Sequence, residues 1–255
     1  MSSLVLSLVS GISIGGLAAY LGTLMLQKRM SLVAGPLGHL TLPGVALALL
    51  YGFDVSIGAF PFVILGIILI WLLELRTKLP PEALTAIIFA SGVAIAFLFL
   101  PLKQAEVALV GDITKVNLID TIVSVIVCFI LFLVIRKIFP QMILINISED
   151  LAKVEGVDIK KYNFLYLLAI GIIVSLGVKL VGSLLTAALV AIPSAAARNL
   201  SKNLHSYTLL APIFGIISAV SGILIYYFTK LPAGPIIILI NTLIFIVSAI
   251  LKRKP

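Results

Sequence analysis

Nine apolar stretches of 15 to 23 residues, separated by short polar connections, take up most of this 255-residue chain. They run approximately over residues 4–26, 32–51, 55–73, 83–100, 118–135, 164–178, 181–197, 207–228 and 236–251. A helical membrane span takes about 20 apolar residues. The strands of a membrane β-barrel would be about ten residues long and would alternate polar and apolar residues, which these stretches do not do. We therefore predict an all-α, polytopic transmembrane helix bundle. It has nine spans, or eight if one of the two short stretches between Phe164 and Ala197 is a broken or re-entrant helix.

The composition excludes a soluble globular protein. Hydrophobic residues make up 62% of the chain and charged residues only 11%, whereas a soluble domain carries roughly 25% charged residues. The chain is expected to form one transmembrane domain over residues 1–255, in contact with membrane lipid.

The basic residues predict the orientation of this bundle. The net charge is +8, and the Lys and Arg residues lie in short clusters between apolar runs. No basic stripe interleaved with aromatic residues is present, so a nucleic-acid partner is not expected. If the first span runs inward, 14 of the 18 basic residues fall on the cytoplasmic side. The positive-inside rule then places the N-terminus outside and the C-terminus in the cytoplasm.

Prolines interrupt several of the apolar stretches. They are Pro36, Pro43, Pro61, Pro193 and Pro212. Each one frees a backbone carbonyl that must be satisfied by a neighbouring helix or by water in a cavity. Broken helices are typical of transport pathways, although proline is also commoner in membrane helices in general.

His39 is the ionisable residue that stands out inside the apolar stretches. Such a ring is costly in lipid, so it is expected to face the protein interior or a wet path. A neutral imidazole is a suitable ligand for a divalent transition metal. The alternative is a histidine that is hydrogen-bonded to a backbone carbonyl freed by Pro43. Gly35 and Gly38 beside it allow close approach of the backbone.

The longest hydrophilic stretch, residues 140–162, contains a predicted surface helix of about two turns. Ser148 is a good N-cap, Glu149 and Asp150 occupy the first turn, and Gly156 suits the C-terminal cap. So short a helix is not stable alone, which leaves two interpretations: a helix packed on the membrane domain or on a partner, or a solvated loop helix.

Features of soluble catalysis are missing from the sequence. There is no phosphate-binding Gly-Lys-Ser/Thr loop. His205 lies near Ser201 and Ser206, but no oxyanion-hole motif accompanies them. We expect no enzymatic activity and no cofactor in this chain.

Several segments in order resemble the permease subunits of the ABC importers for zinc and manganese, and they extend over nearly the whole chain. These segments are residues 28–31, 37–39, 42–46, 110–112, 147–152 with 156–157, 181–185, 192–198 and 232–235. The resemblance implies a type II ABC importer fold in a prokaryotic cytoplasmic membrane. It also implies a homodimer that pairs with two cytoplasmic ATPase subunits, which bind the ATP, and that receives its divalent metal from an extracytoplasmic metal-binding protein.

The resemblance also assigns roles to particular residues. The coupling helix that docks into the ATPase falls within residues 146–158, at Ser148, Glu149, Asp150, Leu151, Ala152 and Gly156. His39 would line the translocation path. The helix breaks expected along that path or its gate are Gly35, Pro43, Gly44, Gly182 and Pro193.

One position departs from the family pattern. Such permeases usually carry an acidic residue four positions before the histidine, and this chain has Gly35 there. A lone imidazole is a poor cage for a divalent ion, although a two-fold dimer would bring two copies of His39 towards one path. Ligation without the carboxylate would lean towards zinc over manganese, or it indicates a different substrate. The remaining alternatives are a permease for a metal chelate of the cobalamin or siderophore type, an ATPase-independent membrane channel and a membrane-embedded enzyme.

Overall fold

The computed structural model describes residues 3–27, 34–77, 79–99, 113, 116–182 and 186–252, and these ranges contain eleven α-helices and no β-strand. The helices are α1 (Ser3–Gln27), α2 (Ala34–His39), α3 (Leu42–Tyr51), α4 (Val55–Thr77), α5 (Pro81–Phe99), α6 (Leu118–Ile147), α7 (Glu149–Val154), α8 (Ile159–Val181), α9 (Thr186–Leu200), α10 (Leu204–Thr229) and α11 (Ala233–Leu251). The predicted all-α class is confirmed. The resembling segments 28–31 and 110–112 lie outside the described residues.

The prediction of eight or nine spans is not supported. Within the described ranges, six helices are long and apolar enough to cross a membrane: α1, α4, α6, α8, α10 and α11. The stretch predicted over residues 32–51 is divided into α2 and α3, and the stretch predicted over residues 181–197 gives only the 15-residue α9. Hydropathy measures how apolar a stretch is but does not reveal where its helix is interrupted, so it overestimates the number of continuous spans.

Side-chain caps set where several of these helices begin. Asn117 and Asp120 form a capping box at the start of α6, and Asn203 and Ser206 form one at the start of α10. In each case, both side chains bond backbone N–H groups that have no partner inside the helix.

Hydrogen bonds show which helix ends lie together. At the Ser3 end of α1, the Ser3 hydroxyl is 2.7 Å from the Tyr227 hydroxyl at the end of α10. Nearby, Thr121 at the start of α6 donates to the Leu6 carbonyl over 3.4 Å. Towards the Gln27 end, Tyr207 at the start of α10 donates to the Thr23 carbonyl over 3.5 Å. Thus α6 is parallel to α1 and α10 is antiparallel to it.

The central helix α1 packs along α6, α9 and α10, and its glycines allow the helices to meet backbone to backbone. A Cβ added at Gly15 would lie 2.9 Å from the Gly215 carbonyl oxygen of α10. A Cβ at Gly22 would overlap the Val190 carbonyl oxygen of α9 and lie 2.9 Å from Ser194 Oγ. Small residues play this role where lipid supplies no hydrophobic drive for association.

The same kind of contact joins α3 to α4. Gly44 and Gly58 face each other so closely that a Cβ on either one would overlap the carbonyl oxygen of the other. The short helix α3 is thereby held against a full span.

We expect Gly22→Ala to lower the free energy of unfolding by about 1–3 kcal/mol, because the added methyl must displace the backbone of α9. The measurement is thermal unfolding of the purified protein in detergent. Gly16→Ala is the matched control, since its Cβ would meet only the Ile216 side chain, at 3.1 and 3.2 Å. Both variants gain the same intrinsic helix propensity, so equal melting temperatures would contradict the proposed steric contact.

Candidate functional site

The candidate site lies at an interruption of the helix between α2 and α3, at residues 40 and 41. The Leu40 N–H donates to the Pro36 carbonyl over 3.1 Å, and the Thr41 N–H donates to the Gly38 carbonyl over 3.2 Å. The Thr41 hydroxyl donates to the Gly38 carbonyl as well, over 2.5 Å. Pro43 lies in the first turn of α3, where its missing N–H would have had no helical partner. The regular helical bonding is therefore interrupted here, while the Leu40 and Thr41 N–H groups keep acceptors inside the chain.

His39 is the last residue of α2 and is half-buried at this break. Its ring lies 5.1 Å from the ring of Phe89 on α5, with the two planes inclined by 39°. Its Nδ1 atom is buried and has no hydrogen-bond partner in the described part of the chain. The alternative of an imidazole bonded to a carbonyl freed by Pro43 is therefore not seen at this nitrogen. The lone pair or proton on this atom is left for another partner.

The helix that carries His39 lies inside the bundle. α2 packs against α8, α9, α5 and α4, and Leu37 and Leu40 on either side of the histidine are buried. This position agrees with the prediction that the ring faces the protein interior.

His39 does not belong to a metal-binding cluster within one chain. Among the described residues, no three His, Cys, Asp or Glu side chains come together. One imidazole supplies a single donor, whereas zinc sites usually have four ligands. A metal at His39 would thus be held weakly, or would need ligands from elsewhere.

The other predicted break residues lie in different surroundings. Gly35 lies within α2, and Gly44 is at the contact of α3 with α4. Gly182 ends α8 with a φ of 80°, and its N–H donates to the Val178 carbonyl over 2.8 Å. Pro193 is buried within α9. Gly35 and Pro43 are close to His39 in sequence. Pro193 does not interrupt α9, contrary to the prediction of a helix break there, and α9 packs on α2.

The predicted surface helix is present as α7, and its ends are formed as the sequence indicates. The Ser148 side chain accepts the Leu151 N–H over 3.2 Å. Glu149 and Asp150 lie in the first turn, and Asp150 is 3.0 Å from the Lys153 ammonium. After the helix, Gly156 adopts the left-handed conformation with a φ of 76°.

One face of α7 is buried and the opposite face is exposed. Ala152 is fully buried, while Leu151 and Val154 are 46% and 84% exposed. Beside the helix, a cavity of about 490 Å³ lies between the ends of α4 and α8. Its lining residues are Trp71, Glu74, Leu75, Leu79, Pro80, Glu149 and Lys160. An apolar exposed face next to a cavity with both signs of charge is a suitable surface for another protein.

The two candidate sites, His39 and α7, belong to separate parts of the fold. The helix α2 packs on α8, and α7 leads directly into α8 and packs on it. Thus α8 is the element that contacts both.

A buried polar residue on α11 was not singled out by the sequence reasoning. Asn241 is fully buried, and both its amide atoms lack a hydrogen-bond partner in the described ranges. The sequence feature that could have identified it is a polar amide side chain inside the apolar stretch 236–251.

Comparisons with known proteins agree over nearly the whole length. The sequence model of the ABC 3 transport family matches residues 1–252. The manganese import system permease protein ScaB of Streptococcus gordonii is 29% identical over 252 residues, which cover 97% of this chain and 91% of ScaB. The high-affinity zinc uptake system membrane protein ZnuB of Buchnera aphidicola is 27% identical, with 96% of each chain covered. Among solved structures, PsaBC from Streptococcus pneumoniae in complex with Fab matches with a TM-score of 0.83 at 26% identity, covering 97% of this chain and 91% of that one.

We expect Ser148→Ala to destabilise α7 by about 1 kcal/mol, because the Leu151 N–H loses its side-chain acceptor. The measurement is amide hydrogen exchange of residues 149–154, which should be about fivefold faster. Ser148→Asp restores a capping acceptor and should keep exchange near the parent rate. Equal protection in Ser148→Ala and Ser148→Asp would contradict a capping role.

Proposed function

Because this chain belongs to the ABC 3 transport family, we propose that it is the permease subunit of an ATP-driven importer for a divalent transition metal ion, zinc or manganese. The observation that carries the proposal is the family match over residues 1–252. The two metals are those in the names of the relatives ScaB, a manganese permease, and ZnuB, a zinc uptake protein. The protein is proposed to reside in the cytoplasmic membrane of a bacterium as one permease domain.

The proposed path of the metal passes the break between α2 and α3. Helix breaks inside a bundle are typical of transport pathways. His39 adds a nitrogen donor whose Nδ1 is unpartnered in the described chain. Because Gly35 replaces an acidic residue, the ligands here are softer than a carboxylate. Softer ligands favour zinc slightly over manganese. A weak site also suits transport, since the ion must leave again.

Coupling to ATP hydrolysis is proposed to run from α7 through α8 to α2. The docking surface consists of the exposed face of α7 and the adjoining cavity. A displacement of α7 moves the start of α8, because only four residues separate the two helices. The packing of α2 on α8 then carries that displacement to the break beside His39.

The orientation follows from this docking surface. If α7 faces a cytoplasmic ATPase, the Gln27 end of the bundle is cytoplasmic, so Ser3 lies outside and Leu251 inside. The basic residues support this orientation: Arg198 and Lys202 precede the start of α10, whereas Lys230 follows its other end.

The assembly is proposed to contain two permease subunits, two ATPase subunits that bind ATP, and an extracytoplasmic protein that delivers the metal. Large apolar side chains on α3, α4 and α5 are exposed, including Tyr51, Ile57 and Leu98. In the membrane, lipid and the second permease would cover this face. A two-fold arrangement would let two copies of His39 serve one path.

We expect His39→Ala to reduce uptake of radiolabelled zinc and manganese at least tenfold in cells that produce the complete transporter, because the path loses its imidazole donor. The chain contains a second histidine, His205, which lies near the start of α10, and His205→Ala is the matched control. Normal uptake in a well-expressed His39→Ala variant would remove His39 from the path.

We expect Glu149→Lys to weaken association with the ATPase, because it reverses a charge on the docking surface and places a cation near the positive end of the α7 dipole. The measurements are co-purification of the ATPase and metal-stimulated ATP hydrolysis. Glu155→Lys makes the same change of charge at the opposite end of the helix, where a cation is favourable, and should have a smaller effect. Unchanged co-purification and hydrolysis in Glu149→Lys would count against the coupling surface.

A further inference from the structure

A small cavity that has hydroxyl groups and an ammonium in its lining lies at the Ser3 end of the bundle, away from His39 and α7. Its volume is about 150 Å³, and it lies between the start of α1 and the end of α10. The lining residues are Ser3, Ser7, Ile113, Ile223, Tyr226, Tyr227 and Lys230. A water molecule takes about 30 Å³ in the liquid, so the cavity has room for a group of several heavy atoms.

Lys230 is held at this cavity in an unfavourable backbone conformation. With a φ of 60°, it is the described non-glycine residue with a positive φ. Its N–H donates to the Tyr226 carbonyl over 2.8 Å and ends α10. Glycine would normally occupy such a position. A lysine that persists there is a reason to look for a role of its side chain.

The Lys230 ammonium is positioned by two aromatic rings. Its Nζ atom lies 5.0 Å from the centre of the Tyr227 ring and 5.8 Å from that of Tyr226. Both distances are within the range of a cation–π contact. The positive charge is thereby kept at the mouth of the cavity.

The hydroxyl groups of the cavity can donate as well. Ser3 and Tyr227 are joined by a hydrogen bond of 2.7 Å. Two hydroxyls carry two protons and the bond between them uses one, so one O–H remains to donate. An ammonium and a free hydroxyl proton in one cavity are complementary to an anion.

The surface beside the cavity indicates where that anion would come from. Leu224 and Phe228 lie one turn apart near the end of α10, and Leu231 follows the helix; these side chains are 36%, 87% and 57% exposed. α10 is one of the six helices long enough to cross the membrane, and tyrosine and lysine at a helix end are typical of the lipid–water interface. A cavity with an ammonium and hydroxyl groups, next in sequence to exposed apolar side chains of the same helix end, matches the head and tail of one lipid.

We propose that this cavity binds the phosphodiester headgroup of a membrane phospholipid, with Lys230 and the Ser3–Tyr227 pair contacting the phosphate and an acyl chain lying along Leu224 and Phe228. In the orientation proposed above, this lipid belongs to the outer leaflet. The binding itself does not depend on the transport function, so either proposal can fail without the other.

The test uses the full chain purified in mild detergent, together with any subunit that co-purifies. Native mass spectrometry follows the binding of phosphatidylglycerol, of diacylglycerol with the same acyl chains, and of inorganic phosphate. We expect phosphatidylglycerol to bind more tightly than diacylglycerol. Lys230→Gln should weaken that binding about tenfold, and Tyr227→Phe about threefold, as for one charged and one neutral hydrogen bond. Lys202→Gln, an exposed lysine near the other end of α10, is the matched control and should bind as the parent does.

Three outcomes would overturn the proposal. The first is equal binding of phosphatidylglycerol by the Lys230→Gln, Tyr227→Phe and Lys202→Gln variants. The second is equal binding of diacylglycerol and phosphatidylglycerol, which would show that the phosphate is not recognised. The third is binding of inorganic phosphate alone without preference for the lipid, which would make the cavity a site for a soluble anion. Because Tyr227→Phe keeps the ring, it tests the site even if Lys230→Gln fails to fold.

Discussion

The need to bond every backbone amide inside a bilayer is the constraint on which this structure depends. No water is available there, so each segment must be helical or must satisfy its free groups locally. The break between α2 and α3 meets this requirement. Bonds from Leu40 and Thr41 reach back to Pro36 and Gly38, and Pro43 removes an N–H where none is needed. The Leu40 and Thr41 N–H groups therefore keep acceptors where the helix is interrupted inside the bundle.

Glycine contacts determine how the helices surround this interruption. Gly15 and Gly22 bring α1 against the backbones of α10 and α9, and Gly44 with Gly58 brings α3 against α4. Helices joined in this way resist small displacements, because backbone atoms cannot move aside as a side chain can. Movement between these helices is then expected to occur as whole elements.

The parts of the fold that depend on local chemistry were predictable from sequence. The α7 helix begins after Ser148 and is followed by left-handed Gly156, because capping involves only residues a few positions apart. The predicted number of spans is not supported by the structure, because the hydropathy of residues 32–51 is continuous whereas the helix there is interrupted at Leu40 and Thr41. The contact of His39 with Phe89 and the cavity at Lys230 join residues remote in sequence, for which no local pattern exists.

By itself, the sequence determined that this chain is an all-helical membrane protein, because its apolar stretches are too long and too free of charge for water. It also determined the ends of α7 and the identity of the histidine in the apolar interior. The tertiary structure decided which stretches are continuous helices, that α2 lies among α4, α5, α8 and α9, and that α8 contacts both α2 and α7. These features depend on how segments distant in sequence pack together, and the hydropathy of a single segment carries no information on its neighbours.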